Sequence, residues 1–275
     1  MSVKTKKNIS RKRSTKNKNN NSNYLKYVVV AIILIVLAGI VYNFYPTIKS
    51  YINKTINPPK DIEEIKSEQS KYSVFGIDVS VYQQDINWDT VFANHKIDFI
   101  FIRATAGTNN IDKKFKENWE NLQSQNIICG AYHYFRPDEN SKKQAEFFIK
   151  NVELKEGNLP PVLDIEKISK VQSMESLKIA LLNWLRIIED YYKVTPILYT
   201  YNKYYVQWFK DDSRFDKYLL WLAWYDPSGN PNDINKEWLF WQFTDNGKIK
   251  GINNVVDVNI FNGTLKDLDG IRIRN

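Results

Sequence analysis

Two carboxylates stand two residues apart in the stretch Leu159-Pro160-Pro161-Val162-Leu163-Asp164-Ile165-Glu166. Residues i and i+2 of a strand share a face, so Asp164 and Glu166 point together while Leu163 and Ile165 point the other way. Burying an ionised carboxylate without a partner is costly or drives it to take up a proton. A pair of this kind suits the acid end of a glycosidase-like or metal-binding site at the end of a barrel strand. The same spacing also suits an edge strand whose polar face meets water. Asp78, in Gly76-Ile77-Asp78-Val79-Ser80, and Asp257, in Val255-Val256-Asp257-Val258-Asn259, stand at comparable strand ends. Asp78 could alternatively cap the following helix.

Aromatic residues accompany these acids. The chain holds 8 Trp and 17 Tyr, more than a core of this size ordinarily needs, and Trp221, Trp224, Tyr225 and Trp241 fall near strand ends. Aromatic platforms beside carboxylates suit a sugar, whose apolar ring faces pack on them while its hydroxyls take hydrogen bonds. His133, between Tyr132 and Tyr134, reads equally as a substrate contact or as a buried, hydrogen-bonded histidine. With His95 it is one of 2 His in the chain, and neither has a partner at a zinc-binding spacing. The turn Ala104-Thr105-Ala106-Gly107-Thr108 lacks the glycine pattern of a phosphate cradle. Neither a metal nor a cofactor is expected. Cys129 is the single cysteine, so the domain must be held by its core alone.

The elements that must position these residues follow an alternating pattern. Strands are expected over 72–80, 97–103, 127–134, 162–166 and 194–200. Between them come helical stripes, including Phe115, Trp119 and Leu122, then Ala145, Phe148 and Val152, then Leu177, Leu181, Trp184, Leu185 and Ile188. Ser169 and Gln172 are placed to cap the last of these. Three plain strands, 218–225, 238–243 and 255–259, complete the pattern. Five β/α units and three further strands could close an eight-stranded barrel, with active-site residues at the C-terminal ends of its strands.

The +8 charge suggests nucleic acid until it is located. Residues 1–26 carry a run of Lys and Arg and no acid, which leaves the remainder nearly neutral and indicates no nucleic-acid groove. An apolar run over 27–45, flanked by Tyr24, Tyr27, Tyr42, Phe44 and Tyr45, is near the length of a membrane-crossing helix. It reads as a signal-anchor with the N-terminus cytoplasmic and the C-terminal domain outside; a cleaved signal peptide or a buried helix is the alternative. Residues 46–71, with Pro46, Pro58 and Pro59, read as a stalk, at most partly helical over 61–70. The organisation expected is a basic tail (1–26), a transmembrane span (27–45), a stalk (46–71), a barrel (72–265) and a C-terminal tail (266–275).

In order along the chain, Gly76-Ile77-Asp78-Val79-Ser80 with Gln83, Gly130-Ala131-Tyr132-His133-Tyr134, Leu163-Asp164-Ile165-Glu166, Pro196-Ile197-Leu198-Tyr199-Thr200, Trp221-Leu222-Ala223 with Tyr225, Trp241-Gln242 and Val256-Asp257-Val258-Asn259 together resemble glycoside hydrolase family 25, the lysozyme family. The resemblance covers roughly residues 72–263. It implies an α/β fold, a modified TIM-like (β/α)5(β)3 barrel, and hydrolysis of the β-1,4 bond between N-acetylmuramic acid and N-acetylglucosamine in peptidoglycan. Glu166 would be the general acid, Asp164 would orient or polarise the substrate acetamido group, and Asp78 and Asp257 would complete an acidic floor. A covalent attack by Asp164 stays open. Tyr132, His133, Tyr199, Trp221, Tyr225, Trp241 and Gln242 would contact the sugar. An anchor and stalk in place of wall-binding repeats imply local wall remodelling, for instance with a cell-surface secretion, conjugation or division complex. Two other readings remain. One is a chitinase-like or endo-N-acetylglucosaminidase barrel, although Val162 stands where the preceding acid of that motif would be. The other is a catalytically silent glycan-binding module, whose marker would be loss of the acid pair.

Overall fold

A computed structural model describes residues 27–30, 58–225, 231–234 and 236–274, and the chain divides into two units, 1–58 and 59–275. In the first unit residues 27–30 are helical. The rest of the expected basic tail and apolar span lies outside the described residues. No helix among the described residues is long and apolar enough to cross a membrane.

The second unit begins with strand β1 (Lys60–Asp61) and helix α1 (Ile62–Glu68). Asp61 caps α1 by accepting the Glu63 N–H at 2.9 Å, while Ile62 and Ile65 are buried in the core. Strand β1 pairs with a barrel strand, Lys60 opposite Gly247. This half of the expected stalk is therefore part of the domain, because two isoleucines three apart give a short helix one face to bury. The regular units follow as β2 (Phe75–Val79) and α2 (Trp88–Asn94), β3 (Phe99–Ala106) with the short β4 (Asn110–Ile111) and α3 (Phe115–Ser124), β5 (Cys129–Tyr134) and α4 (Ser141–Asn151), β6 (Val162–Asp164) and α5 (Met174–Tyr192), and β7 (Ile197–Tyr201) and α6 (Asn202–Trp208). Helix α5 starts later than Ser169 and Gln172 suggest. Its cap is Ser173, and Ser169 Oγ instead accepts the Val171 and Gln172 N–H groups in a turn.

Strands β8 (Leu219–Ala223), β9 (Phe240–Lys248) and β10 (Val256–Phe261) complete the ring. The closed eight-stranded order is β2-β3-β5-β6-β7-β8-β9-β10, with β10 returning to β2. All neighbours are parallel except that β10 runs antiparallel to both β9 and β2. Helix α7 (Leu265–Gly270) buries Leu268, and Ile273 N–H donates to Asn158 O at 2.8 Å. The expected C-terminal tail is thus fastened to the barrel.

Strand alternation sorts the apolar residues into two sets. Inside the bore lie Phe99, Phe101, Val162, Ile197, Trp221, Phe240 and Phe261. Between the sheet and the helices lie Ile77, Ile100, Ile102, Leu163, Ile165, Leu198 and Leu222, among others. Phe101 stacks on Trp221 with centroids 4.4 Å apart, and Phe240 meets both Phe99 and Phe101 at 5.1 Å. Two glycines admit this plug. A Cβ on Gly76 would overlap the Phe99 ring, and one on Gly130 would lie 2.6 Å from Phe101. With the lower bore filled by rings, polar side chains one step farther along the same strands are left to line an opening above it.

Candidate active site

On five successive strands the inward position beyond the plug carries a polar group. Asp78 follows Gly76 on β2, Arg103 follows Phe101 on β3, Tyr132 follows Gly130 on β5, Asp164 follows Val162 on β6, and Tyr199 follows Ile197 on β7. They line a cavity of about 630 Å³ that also takes in Glu166, Tyr134, Tyr201, Tyr225, Gln242 and Asp257. Strand β6 ends at Asp164, and Glu166 lies just past it on the same side. Asp257 stands near the start of β10, not its C-terminal end, and reaches the same rim because β10 runs antiparallel.

Asp78 and Asp257 occupy directly opposed positions on β2 and β10, where like charges repel. Asp78 Oδ2 accepts the side-chain amides of Gln242 and Asn259, each at 2.8 Å. Gln242 Oε1 in turn accepts the hydroxyls of Tyr199 at 2.7 Å and Tyr225 at 2.5 Å. Asn259 Oδ1 accepts the Trp221 indole N–H at 2.8 Å. This network fixes the amide orientations, since each carbonyl faces only donors and each NH₂ faces a carboxylate. Burial pushes Asp78 up to about 6 despite both amides. Burial, then the Asp78 charge, holds Asp257 well above the carboxylate range.

Asp164 is buried, and among the described residues its Oδ1 has no hydrogen-bond partner. Burial and the neighbouring Glu166 and Asp78 charges raise its carboxyl strongly. Glu166 is only partly enclosed. Burial raises it too, against a hydrogen bond from Tyr201 and the Lys167 charge, which favour its ionised form. The site therefore holds carboxyls whose environments separate their protonation, the condition under which one acid donates while its neighbour acts otherwise.

Of the residues expected from sequence, Asp78, Asp164, Glu166, Asp257, Tyr132, Tyr199, Trp221, Tyr225 and Gln242 come together at the cavity. Trp221 is a buried floor and not a platform. His133 and Trp241 lie elsewhere, because each is one residue out of step with an inward neighbour. His133 stacks on Trp184 at 5.4 Å behind the sheet. Its Nε2–H donates to Gln144 Oε1 at 3.1 Å, and its Nδ1 accepts from Thr105 at 2.7 Å. Burial lowers it to about 4, so of the two readings the buried histidine stands. Trp241 packs outside the barrel against Tyr72 and Trp238 and donates its indole N–H to Trp224 O at 2.9 Å. Arg103, Tyr134, Tyr201 and Asn259 join the site without having been singled out. Period-two alternation from Phe101, Tyr132, Tyr199 and Asp257 marks all four. Among the described residues no cluster of acids, histidines or cysteines is arranged to hold a metal ion.

A closed β/α barrel with a group of raised carboxyls under tyrosines at one rim has the build of a glycoside hydrolase. Glycosyl hydrolases family 25 matches residues 77–252, and the chain belongs to that family. It is 35% identical over 234 residues to the uncharacterised protein YegX of Escherichia coli O6:H1, covering 82% of this chain and 84% of that one. It is 33% identical over 214 residues to lysozyme M1 of Streptomyces globisporus, covering 71% and 70%. The family 25 glycosyl hydrolase of Bacillus anthracis shares the fold with a TM-score of 0.65 at 30% identity, over 74% of this chain and 95% of that chain.

Proposed function

We propose that this enzyme is an N-acetylmuramidase that cleaves the β-1,4 bond between N-acetylmuramic acid and N-acetylglucosamine in peptidoglycan. The observation that carries the reading is the unpartnered, buried Asp164 Oδ1 beside the more open Glu166 at the end of β6. A buried acceptor without a donor fits the N–H of a substrate acetamido group. The similarity to lysozyme M1 supports the same substrate.

Glu166 protonates the leaving oxygen. The acetamido oxygen attacks the anomeric carbon, and its N–H donates to Asp164, which stabilises the positive ring that forms. Burial raises the Asp164 carboxyl, and an N–H donor arriving with the substrate favours its carboxylate form. Substrate binding thus supplies what the empty site lacks. Water then opens the bicyclic intermediate, giving up a proton to the Glu166 carboxylate. Asp78 and Asp257 hold the floor, while Tyr132, Tyr199 and Tyr225 position the sugar. The decisive experiment digests purified peptidoglycan, reduces the new ends and identifies the reduced sugar. Muramic acid is the expected product; glucosamine, or no product, overturns the reading.

We also infer that residues 27–45 anchor the chain in the cell membrane with the barrel outside. Basic residues before an apolar run with aromatic ends support this orientation. Peptidoglycan near the membrane is then the substrate within reach, and a surface secretion, conjugation or division complex is the setting this architecture suits.

A further inference from the structure

The cavity that gathers the acids is also lined by three cations, Arg103, Arg136 and Lys167. Among the described residues, no ion pair joins any of them to Asp78, Asp164, Glu166, Asp245 or Asp257. Arg136 is matched by Glu139, 3.1 Å away outside that acid group. Among the described residues, Arg103 is held through one edge. Its Nε donates to Asp112 Oδ2 at 2.8 Å, and Asp112, 1% exposed at its side chain, also accepts the backbone N–H groups of Val81 at 3.0 Å and Lys114 at 2.9 Å. The Tyr82 ring covers the guanidinium at 4.9 Å. Arg103 is therefore a fixed fork on a buried carboxylate, with its far edge left for the cavity. Lys167 follows Glu166 and sits 5.7 Å from the centre of the Tyr134 ring. Among the described residues it has no carboxylate in ion-pair contact.

Among the described residues none of the three cations is in ion-pair contact with these acids, although the Arg103 charge favours the ionised forms of Asp164 and Glu166, and the Lys167 charge that of Glu166. A neutral glycan offers the cations only hydroxyl and carbonyl oxygens, weaker partners than a carboxylate. An anionic one would be repelled by the acidic floor unless positive charge on the cleft wall met it. We propose that Arg103, with Lys167 at the same cleft, recognises a carboxylate carried by the glycan, so that strands keeping that charge are cleaved faster than the same strands with it amidated. This rests on the muramidase reading and adds to it the group that sets specificity. Muramyl strands offer two sources of that carboxylate, the lactyl group of stem-free residues and the stem peptide.

The test compares kcat/KM on stem-bearing strands, on strands stripped by an amidase to expose the lactyl carboxylate, and on both after carbodiimide amidation. A chito-oligosaccharide serves as the neutral control. The wild type should prefer charged over amidated strands by about tenfold, as loss of one charge-assisted hydrogen bond implies. Arg103→Gln should abolish that preference, Lys167→Gln should weaken it, and Arg103→Lys should restore part of it. Loss on stem-bearing strands alone assigns the stem carboxylate, and loss on stripped strands alone assigns the lactyl group; both support the proposal. Equal wild-type rates on charged and amidated strands overturn it, as does an unaltered preference in Arg103→Gln and Lys167→Gln. An effect of Arg103 on the pH dependence of the acids would scale all substrates alike and leave the preference standing. Release of glucosamine ends, or of no ends, from every strand overturns the muramidase reading itself and is distinct from a muramidase without charge preference.

Discussion

At the residue scale, two carboxylates two positions apart on one strand end differ in what surrounds them. Among the described residues Asp164 is closed in and short of a partner, whereas Glu166 is more open and has the Tyr201 hydroxyl and the Lys167 charge favouring its ionised form. If Glu166 is the proton donor, Glu166→Gln should lower kcat by about 10²-fold or more with little change in KM, measured by release of reducing ends. Asp78 gives a second expectation. Its folded-state pKa stands near 6 against an ordinary 3.8, chiefly through burial. Between those values the folded chain binds more protons than the unfolded chain, so stability falls as pH rises through that window. The cost above it is about 3 kcal/mol at most. Asp78→Asn should therefore raise Tm near pH 7, and the gain should shrink toward pH 4, while turnover falls. A gain independent of pH would contradict the assignment. The inward acids were legible in the sequence because period-two spacing needs no coordinates. The same spacing excludes His133 and Trp241 from the cavity, since Tyr132 and Gln242 already claim the inward side; chemical type had drawn attention to them ahead of strand parity.

At the scale of elements, the β/α order and the three final strands could be read from apolar periodicity, and the helices fell close to their stripes. Three things were hidden. The direction of β10 is set by its pairing with both β9 and β2, a long-range fact that no local pattern carries. Helix α1 has only Ile62 and Ile65 to announce it among charged residues, a signal too short to distinguish a docked helix from a spacer. Its docking has a measurable consequence. Ile65→Ala should cost about 2–5 kcal/mol if the side chain is core, lowering Tm in thermal unfolding, while a free stalk would show no change. The partner of Asp112 was hidden likewise, because Arg103 lies nine residues earlier on the other side of a turn.

At the scale of the whole molecule, a nearly neutral barrel follows a strongly basic start, so net charge reports on the N-terminal segment and not on the cleft. Under the proposed arrangement the intact chain should sediment with membranes, resist extraction by salt and yield to detergent. Protease added outside the cell should reach the barrel. Recovery of a soluble chain beginning near residue 40 would show cleavage instead and remove the anchor.

The closure of β10 against β2 has a bearing on timing. Asp78 belongs to the first strand of the ring, yet the amides that hold it come from Gln242 and Asn259 on the last two. A ribosome has made most of the domain before either amide exists. An unfinished chain has Asp78, Asp164 and Glu166 but neither Asp257 nor the amides that complete the floor. Completion of the C-terminal strands is thus the step that assembles the floor of the site.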